Sequence, residues 1–402
     1  MFLTVLLIII YLAFISLGLP DSLLGSAWPS VYQEMHVPIS YGGIISMLIS
    51  GGTIVSSLFS SKIIKKLGTG WTTGISVLMT AVALLGFSVS KEYWMLCLLA
   101  IPLGLGAGSV DAALNNFVAL HYKARHMSWL HCFWGIGATT GPVILSFCLK
   151  DGGNWQSGYR VISLIQFCLV VCLFCSISLW KKVEGTEGKK EQVEESETGK
   201  NQTEEKVNPG ISGMLKLKGA KQALVGFFCY CALEASAGLW GSSYLVMEKG
   251  VSPEQAAKWI ALFYFGITFG RFLSGFLTIK LSNRQMVRLG QGVAGIGIVF
   301  LLLPFGLAVQ LLGLFFVGLG CAPIYPSMLH ATPDNFGSKY SQGIMGIQMA
   351  SAYVGTTFMP PLLGFLAKHV SYKLFPFYLG LILLVMIGAV EGMNRKVEKK
   401  HG

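Results

Sequence analysis

Five ionisable side chains stand inside, or at the edge of, stretches apolar enough to cross a bilayer: Asp21, Asp111, Glu234, Arg271 and Glu391. A carboxylate at bilayer depth costs roughly 2.5–3.5 kcal/mol on insertion scales, so each must face a partner or an aqueous cavity rather than lipid. Glu391 borders a basic tail and reads as interfacial. A carboxylate in low dielectric favours its neutral form, which lets it take a proton from one side of a membrane and give it to the other. Asp21, Asp111 and Glu234 are therefore the candidate proton-coupling residues. The competing reading for each is a static hydrogen bond to a helix backbone or hydroxyl. Asp21 and Glu234 occupy nearly equivalent places in the first and seventh apolar segments.

Groups that could hold a hydroxylated solute lie nearby in sequence. At 3.6 residues per turn, Gly104, Gly108, Asp111 and Asn115 share one helical face, small at one end and polar at the other. With the adjacent amide Asn116, this stretch reads as the lining of an aqueous path. Tight helix packing is the alternative, because small residues let helices approach closely. In the fifth segment His131 and Trp134 share a face. An indole suits the apolar face of a sugar, and an imidazole can donate or accept to hydroxyls. Gln348, an amide that is costly in a membrane helix unless paired, joins Tyr325, which lies between Pro323 and Pro326, and Trp240 as candidate substrate ligands. Tyr264, Thr268 and Arg271 share a face of the eighth segment; Tyr264 is assigned to substrate and Arg271 to closing a gate by pairing.

The elements that must position these groups are membrane helices. The chain has 402 residues, 53% hydrophobic and only 12% charged, with mean hydropathy +0.62; a soluble chain carries about twice that charged fraction. Twelve apolar segments can be marked, near 3–29, 40–61, 71–90, 93–120, 128–149, 158–180, 221–246, 254–279, 286–305, 308–330, 341–367 and 372–392. The Lys- and Glu-rich stretch 181–220 reads as a solvated linker between units 1–180 and 221–402, with 211–218 amphipathic and suited to the membrane surface. With the linker inside, thirteen Lys and Arg fall on its side and seven on the other, which predicts cytoplasmic termini. The +11 net charge thus reads as topology, not nucleic-acid binding. The first segment lacks the basic start and small-residue cleavage site of a signal peptide and is expected to be retained. All nine cysteines are expected to be small buried hydrophobes, with no metal site and no cofactor. No zinc-protease, serine-hydrolase or phosphate-cradling motif stands out, so the chain is not expected to be an enzyme and its driving energy should come from an ion gradient or from the substrate's own.

Sliding the chain on itself gives a match at an offset of 214: residues 64–67 against 278–281, and 103–106 against 317–320. In the fifth and eleventh segments the offset slips to 217, pairing Thr139 with Thr356 and His131 with Gln348. Two parallel six-helix halves follow, with a substrate site near the midplane between them. This arrangement resembles the major facilitator superfamily. The basic loops after segments two and eight resemble that superfamily's signature loop, although Lys65 and Ile279 stand where the usual Asp would be, and Arg271 is placed like its helix-eight arginine. Within it the chain is most similar to the fucose–proton symporter group, which includes glucose and galactose carriers. Asp21, in Leu-Pro-Asp-Ser-Leu-Leu, matches that group's helix-one acid, and Asp111 its helix-four carboxylate, where the fucose carrier has Glu. The resemblance implies an all-α membrane protein, twelve transmembrane helices in two pseudo-symmetric six-helix bundles, acting as a monomer in the cell membrane in proton-coupled uptake of a neutral monosaccharide. The Gly137-to-Pro142 stretch resembles drug–proton antiporters and keeps efflux of small amphipathic compounds as the alternative.

Overall fold

The computed structural model describes residues 2–122, 124–183 and 210–401, and the described chain is almost wholly helical. Most of the linker, residues 184–209, lies outside the described residues. The first half comprises α1 (Phe2–Asp21), α2 (Leu23–Glu34), α3 (Tyr41–Leu67), α4 (Thr69–Val89), α5 (Tyr93–His121), α6 (Ala124–Leu149) and α7 (Trp155–Cys175). A short α8 (Gly210–Leu215) precedes the second half: α9 (Ala220–Lys249), α10 (Pro253–Leu277), α11 (Asn283–Leu302), α12 (Leu307–His330), α13 (Thr332–Phe336), α14 (Ser338–His369) and α15 (Leu374–His401). Among the described residues eleven helical spans are long and apolar enough to cross a bilayer, α1 and α2 forming one of them; α14, 32 residues long and packed on α9 and α3, is the twelfth. Four of the ends have a clear local cause. Asn154, Ser252 and Ser282 cap α7, α10 and α11 with their side chains, and Gly250 at φ 64° ends α9.

The two halves repeat one packing scheme. In the first, α3 and α4 pack on α5, α4 on α7, and α1 on α6; in the second, α10 and α11 pack on α12, α11 on α15, and α9 on α14. The repeat holds at atomic register. A Cβ added to Gly104 would lie 2.0 Å from Ile49 O, and one added to Gly318 2.0 Å from Phe263 O; both residues of the second pair stand 214 beyond those of the first. Gly52 meets Ile101 O and Gly266 meets Phe315 O at the same offset. These glycines let backbones touch, so α3 takes up the Gly104–Gly108 end of that face of α5. In the remaining helix pair the offsets differ from the sequence expectation. Gly137 abuts Ile15 and Leu19; Gly355 abuts Phe228 and Ala232. That fixes 213 for α1 against α9, making Asp21 and Glu234 direct mates, and 218 for α6 against α14. The mate of His131 is therefore Met349, not Gln348.

The first crossing bends where Asp21 sits. Pro20 has no N–H, which frees the carbonyl of Ser16 one turn back. Gln166 of α7, 1% exposed, donates Nε2 to that carbonyl at 2.9 Å while its Oε1 accepts from Thr80 of α4 at 2.9 Å. Neighbouring helices re-satisfying a proline's lost partner is how membrane helices tolerate the residue. The helix ends at Asp21 and restarts at Leu23. Pro323 and Pro326, by contrast, lie inside a continuous α12. The cysteine expectation also fails. Cys168, Cys172 and Cys175 are exposed along α7 and only Cys229 and Cys321 are buried, because a membrane helix turns an apolar face outward to lipid.

Candidate functional site

The halves meet at backbone distance at the end remote from the termini. A Cβ on Gly25 of α2 would lie 2.4 Å from Gly238 O of α9, one on Gly43 of α3 2.7 Å from Pro361 Cα of α14, and Ser242 Oγ donates to Ser26 O at 3.4 Å. Towards the termini, α5 and α12 share no comparable packing among the described residues.

Between these regions a line of charged and aromatic groups joins one half to the other. Asp21 Oδ2 accepts from Trp134 Nε1 at 2.7 Å. The Arg271 guanidinium lies over the Trp134 ring, 4.8 Å from its centroid, within cation–π reach. Arg271 also donates Nη1 to His131 O at 3.4 Å and stands 3.9 Å from Glu234 Oε1. The two symmetry-mate carboxylates are thus the two ends of one chain: Asp21, Trp134, Arg271, Glu234. Asp21 is exposed although Leu19, Ser22 and Leu23 beside it are buried. It lies within electrostatic reach of Asp111 and Glu234, on helices from both halves. Glu234 and Arg271 are only 20% and 19% exposed, a setting in which a pair gains from its mutual attraction and loses heavily if one partner is removed.

Asp111 belongs to the same region. Its Oδ1 accepts from Asn115 Nδ2 at 2.8 Å, one turn along α5. Tyr325, the mate of Asp111 at offset 214, is within electrostatic reach of Asp111 and Glu234 and donates its hydroxyl to Met349 Sδ at 2.6 Å. Tyr264, 7% exposed, stands near Asp21 and Glu234. The His131 ring is edge-on to Phe14 at 5.9 Å, half-buried beside the Arg271 anchor.

Three expected ligands are not brought to this region. Trp240 is fully buried; its Nε1 donates to Pro360 O at 2.7 Å and its ring lies against Gly364, so it is core. Gln348 is 1% exposed and its Oε1 accepts from Thr332 Oγ1 at 3.0 Å; the one-residue register error turned it by about 100°. Asn116 falls on the stripe of exposed Trp94, Leu98 and Ile101, about 140° around α5 from Asp111. Two residues were missed. Tyr230, one turn before Glu234, is buried with no partner for its hydroxyl among the described residues, its ring 5.6 Å from that of Tyr325. Tyr353, one turn after Met349, lies near Asp111 and Ser57. Helical spacing from Glu234 would have found the first. The glycines of the antiporter-like stretch pack on α1, where Cβ atoms on Gly137 and Gly141 would lie 2.0 Å from Ile15 O and 2.5 Å from Leu19 O. Packing therefore accounts for both.

Comparison with known proteins agrees with this architecture. A family model described as Major Facilitator Superfamily matches residues 10–257 and 222–391. The chain is 24% identical over 360 residues to the glucose/mannose transporter GlcP of Bacillus subtilis, covering 88% of this chain and 86% of that protein. It is 20% identical over 369 residues to the cis,cis-muconate transport protein of Acinetobacter baylyi, covering 86% and 85%. A crystal structure of the nucleoside transporter NupG superposes with a TM-score of 0.73 at 10% identity over 95% of this chain and 98% of that one.

Proposed function

The chain belongs to the Major Facilitator Superfamily and is a multi-pass membrane transporter rather than an enzyme; from that premise we propose that it carries a neutral monosaccharide into the cell with protons, by alternating access of the units 1–180 and 221–402. The observation that carries this reading is the Asp21–Trp134–Arg271–Glu234 chain across the two halves. Protonating Asp21 removes the charge that holds the Trp134 N–H, and Trp134 is the ring on which Arg271 of the other half rests. A proton arriving at Asp21 thereby loosens a contact between the moving bodies, which is the coupling a symporter needs. The Asp111–Asn115 pair, His131, Tyr264 and Tyr325 are acceptors and donors for hydroxyl groups, and Trp134 supplies an indole face. Asp111 is a second proton site and Arg271 the gate. The 24% likeness to a protein named a glucose/mannose transporter supports a hexose, and the resemblance of Asp21 and Asp111 to the fucose–proton symporter group supports proton coupling. The basic bias of the linker side supports cytoplasmic termini and a location in the cell membrane, and the reading takes the transporter as a monomer. The test is counterflow in proteoliposomes across hexoses, 6-deoxyhexoses and pentoses, with muconate as the contrasting solute. Competition by one sugar class is expected; none by any sugar overturns the reading.

A further inference from the structure

Four lysines converge on one cavity far from the central cluster. It has a volume of about 720 Å³ and is lined by Leu215 and Leu217 together with Lys216, Lys218, Lys221 and Lys396. All four lysines are exposed, and among the described residues no carboxylate pairs with any of them. Like charges held around one space repel each other, so their convergence on one cavity favours an anionic occupant.

Residues next to the lining are firmly packed. Met214, Ala220, Met393 and Val397 form a buried apolar cluster with Phe336 and Ile344. Met214 of α8 sits so closely on α14 that a Cβ on Gly343 would lie 2.4 Å from its Cε, which holds α8 in place. Gly219, at φ 88°, makes the turn from Lys218 into α9, a conformation that costs glycine little. The spanning helix α9 begins at Ala220, and on α15 the apolar run gives way to Glu391, Arg395 and Lys396. The cavity therefore lies where two spans leave the hydrocarbon, the depth of lipid headgroups. There lysine stems lie along apolar surface while their ammonium groups reach outward.

We propose that this cavity binds the phosphate of an anionic phospholipid headgroup, the lysines ringing the phosphate and Leu215 and Leu217 receiving the first acyl carbons. Basic clusters beside a membrane span attract anionic lipid, and the apolar shelf distinguishes a lipid from a free phosphate ion. The delipidated full-length protein in non-ionic detergent is titrated with short-chain phosphatidylglycerol, phosphatidylcholine or inorganic phosphate, and binding is read by native mass spectrometry. Phosphatidylglycerol is expected to bind at least about tenfold tighter than either of the others. The Lys216→Gln/Lys218→Gln/Lys221→Gln/Lys396→Gln variant should lose that preference, and the corresponding fourfold Arg variant should keep it. If the Gln variant does not fold, the milder Lys216→Gln/Lys218→Gln pair serves, with a loss of about threefold. Equal binding of the two lipids, phosphate binding as tightly as phosphatidylglycerol, or a folded Gln variant with unchanged preference would overturn the proposal.

Discussion

Replacing Gln166 by Leu is predicted to destabilise the protein through a single carbonyl, and the structure allows the loss to be worked out. Leucine has nearly the volume of glutamine, so packing changes little. Two hydrogen bonds go. Thr80 keeps Val77 O as an acceptor at 2.8 Å, so its hydroxyl is not orphaned. The Ser16 carbonyl is, because Pro20 has no N–H to offer it. A buried unsatisfied carbonyl costs about 1–3 kcal/mol, and side-chain hydrogen bonds between membrane helices average about 0.6 kcal/mol with a maximum near 1.7; a loss of about 1–2 kcal/mol is expected. Pro20→Ala supplies the missing donor from within the helix, so Gln166→Leu should cost about 1 kcal/mol less in that background. The assay is reversible unfolding in mixed micelles for the four proteins of the cycle, with counterflow recorded in parallel because the bend places Asp21. Additivity of the two substitutions within about 0.3–0.5 kcal/mol would refute the account, since it would mean that Gln166 and Pro20 do not act on the same carbonyl.

Asp21→Asn should abolish proton-driven accumulation while leaving counterflow within about threefold, measured in proteoliposomes with and without an imposed gradient; accumulation that persists would remove Asp21 from coupling. Gly104→Ala and Gly318→Ala should each destabilise by about 1–3 kcal/mol, and to a similar extent, because each added methyl meets a carbonyl 2.0 Å away at equivalent positions; a large difference in their unfolding midpoints would contradict the matched register. Gln348→Leu should leave the KM for the transported solute within about twofold, whereas Tyr325→Phe, which frees Met349, should change KM measurably in the same proteoliposome assay. Arg271→Lys keeps the charge and loses the planar stack on Trp134, and is expected to cut the transport rate about tenfold or more with smaller change in substrate affinity.

Composition and apolar run length were enough to mark an all-helical membrane protein with its crossings, because a bilayer demands about twenty apolar residues per helix whatever the surroundings. The cost of burying charge likewise marked Asp21, Asp111, Glu234 and Arg271 from sequence alone, and a weak internal match was enough to reveal two halves. What the chain order could not determine is rotation about each helix axis. A one-residue error in register is about 100° of turn, and it separates Met349, which holds the Tyr325 hydroxyl, from Gln348, which is spent on Thr332. The same holds for Asn116 and Trp240, polar or aromatic residues whose types suited a ligand but whose faces were assigned elsewhere by packing. Only the tertiary structure brought Trp134 and Arg271, 137 residues apart, into one stack. The physical reason is that membrane burial acts on each helix separately, whereas the meeting of four side chains from four helices depends on how closely backbones approach at glycines such as Gly18 and Gly137.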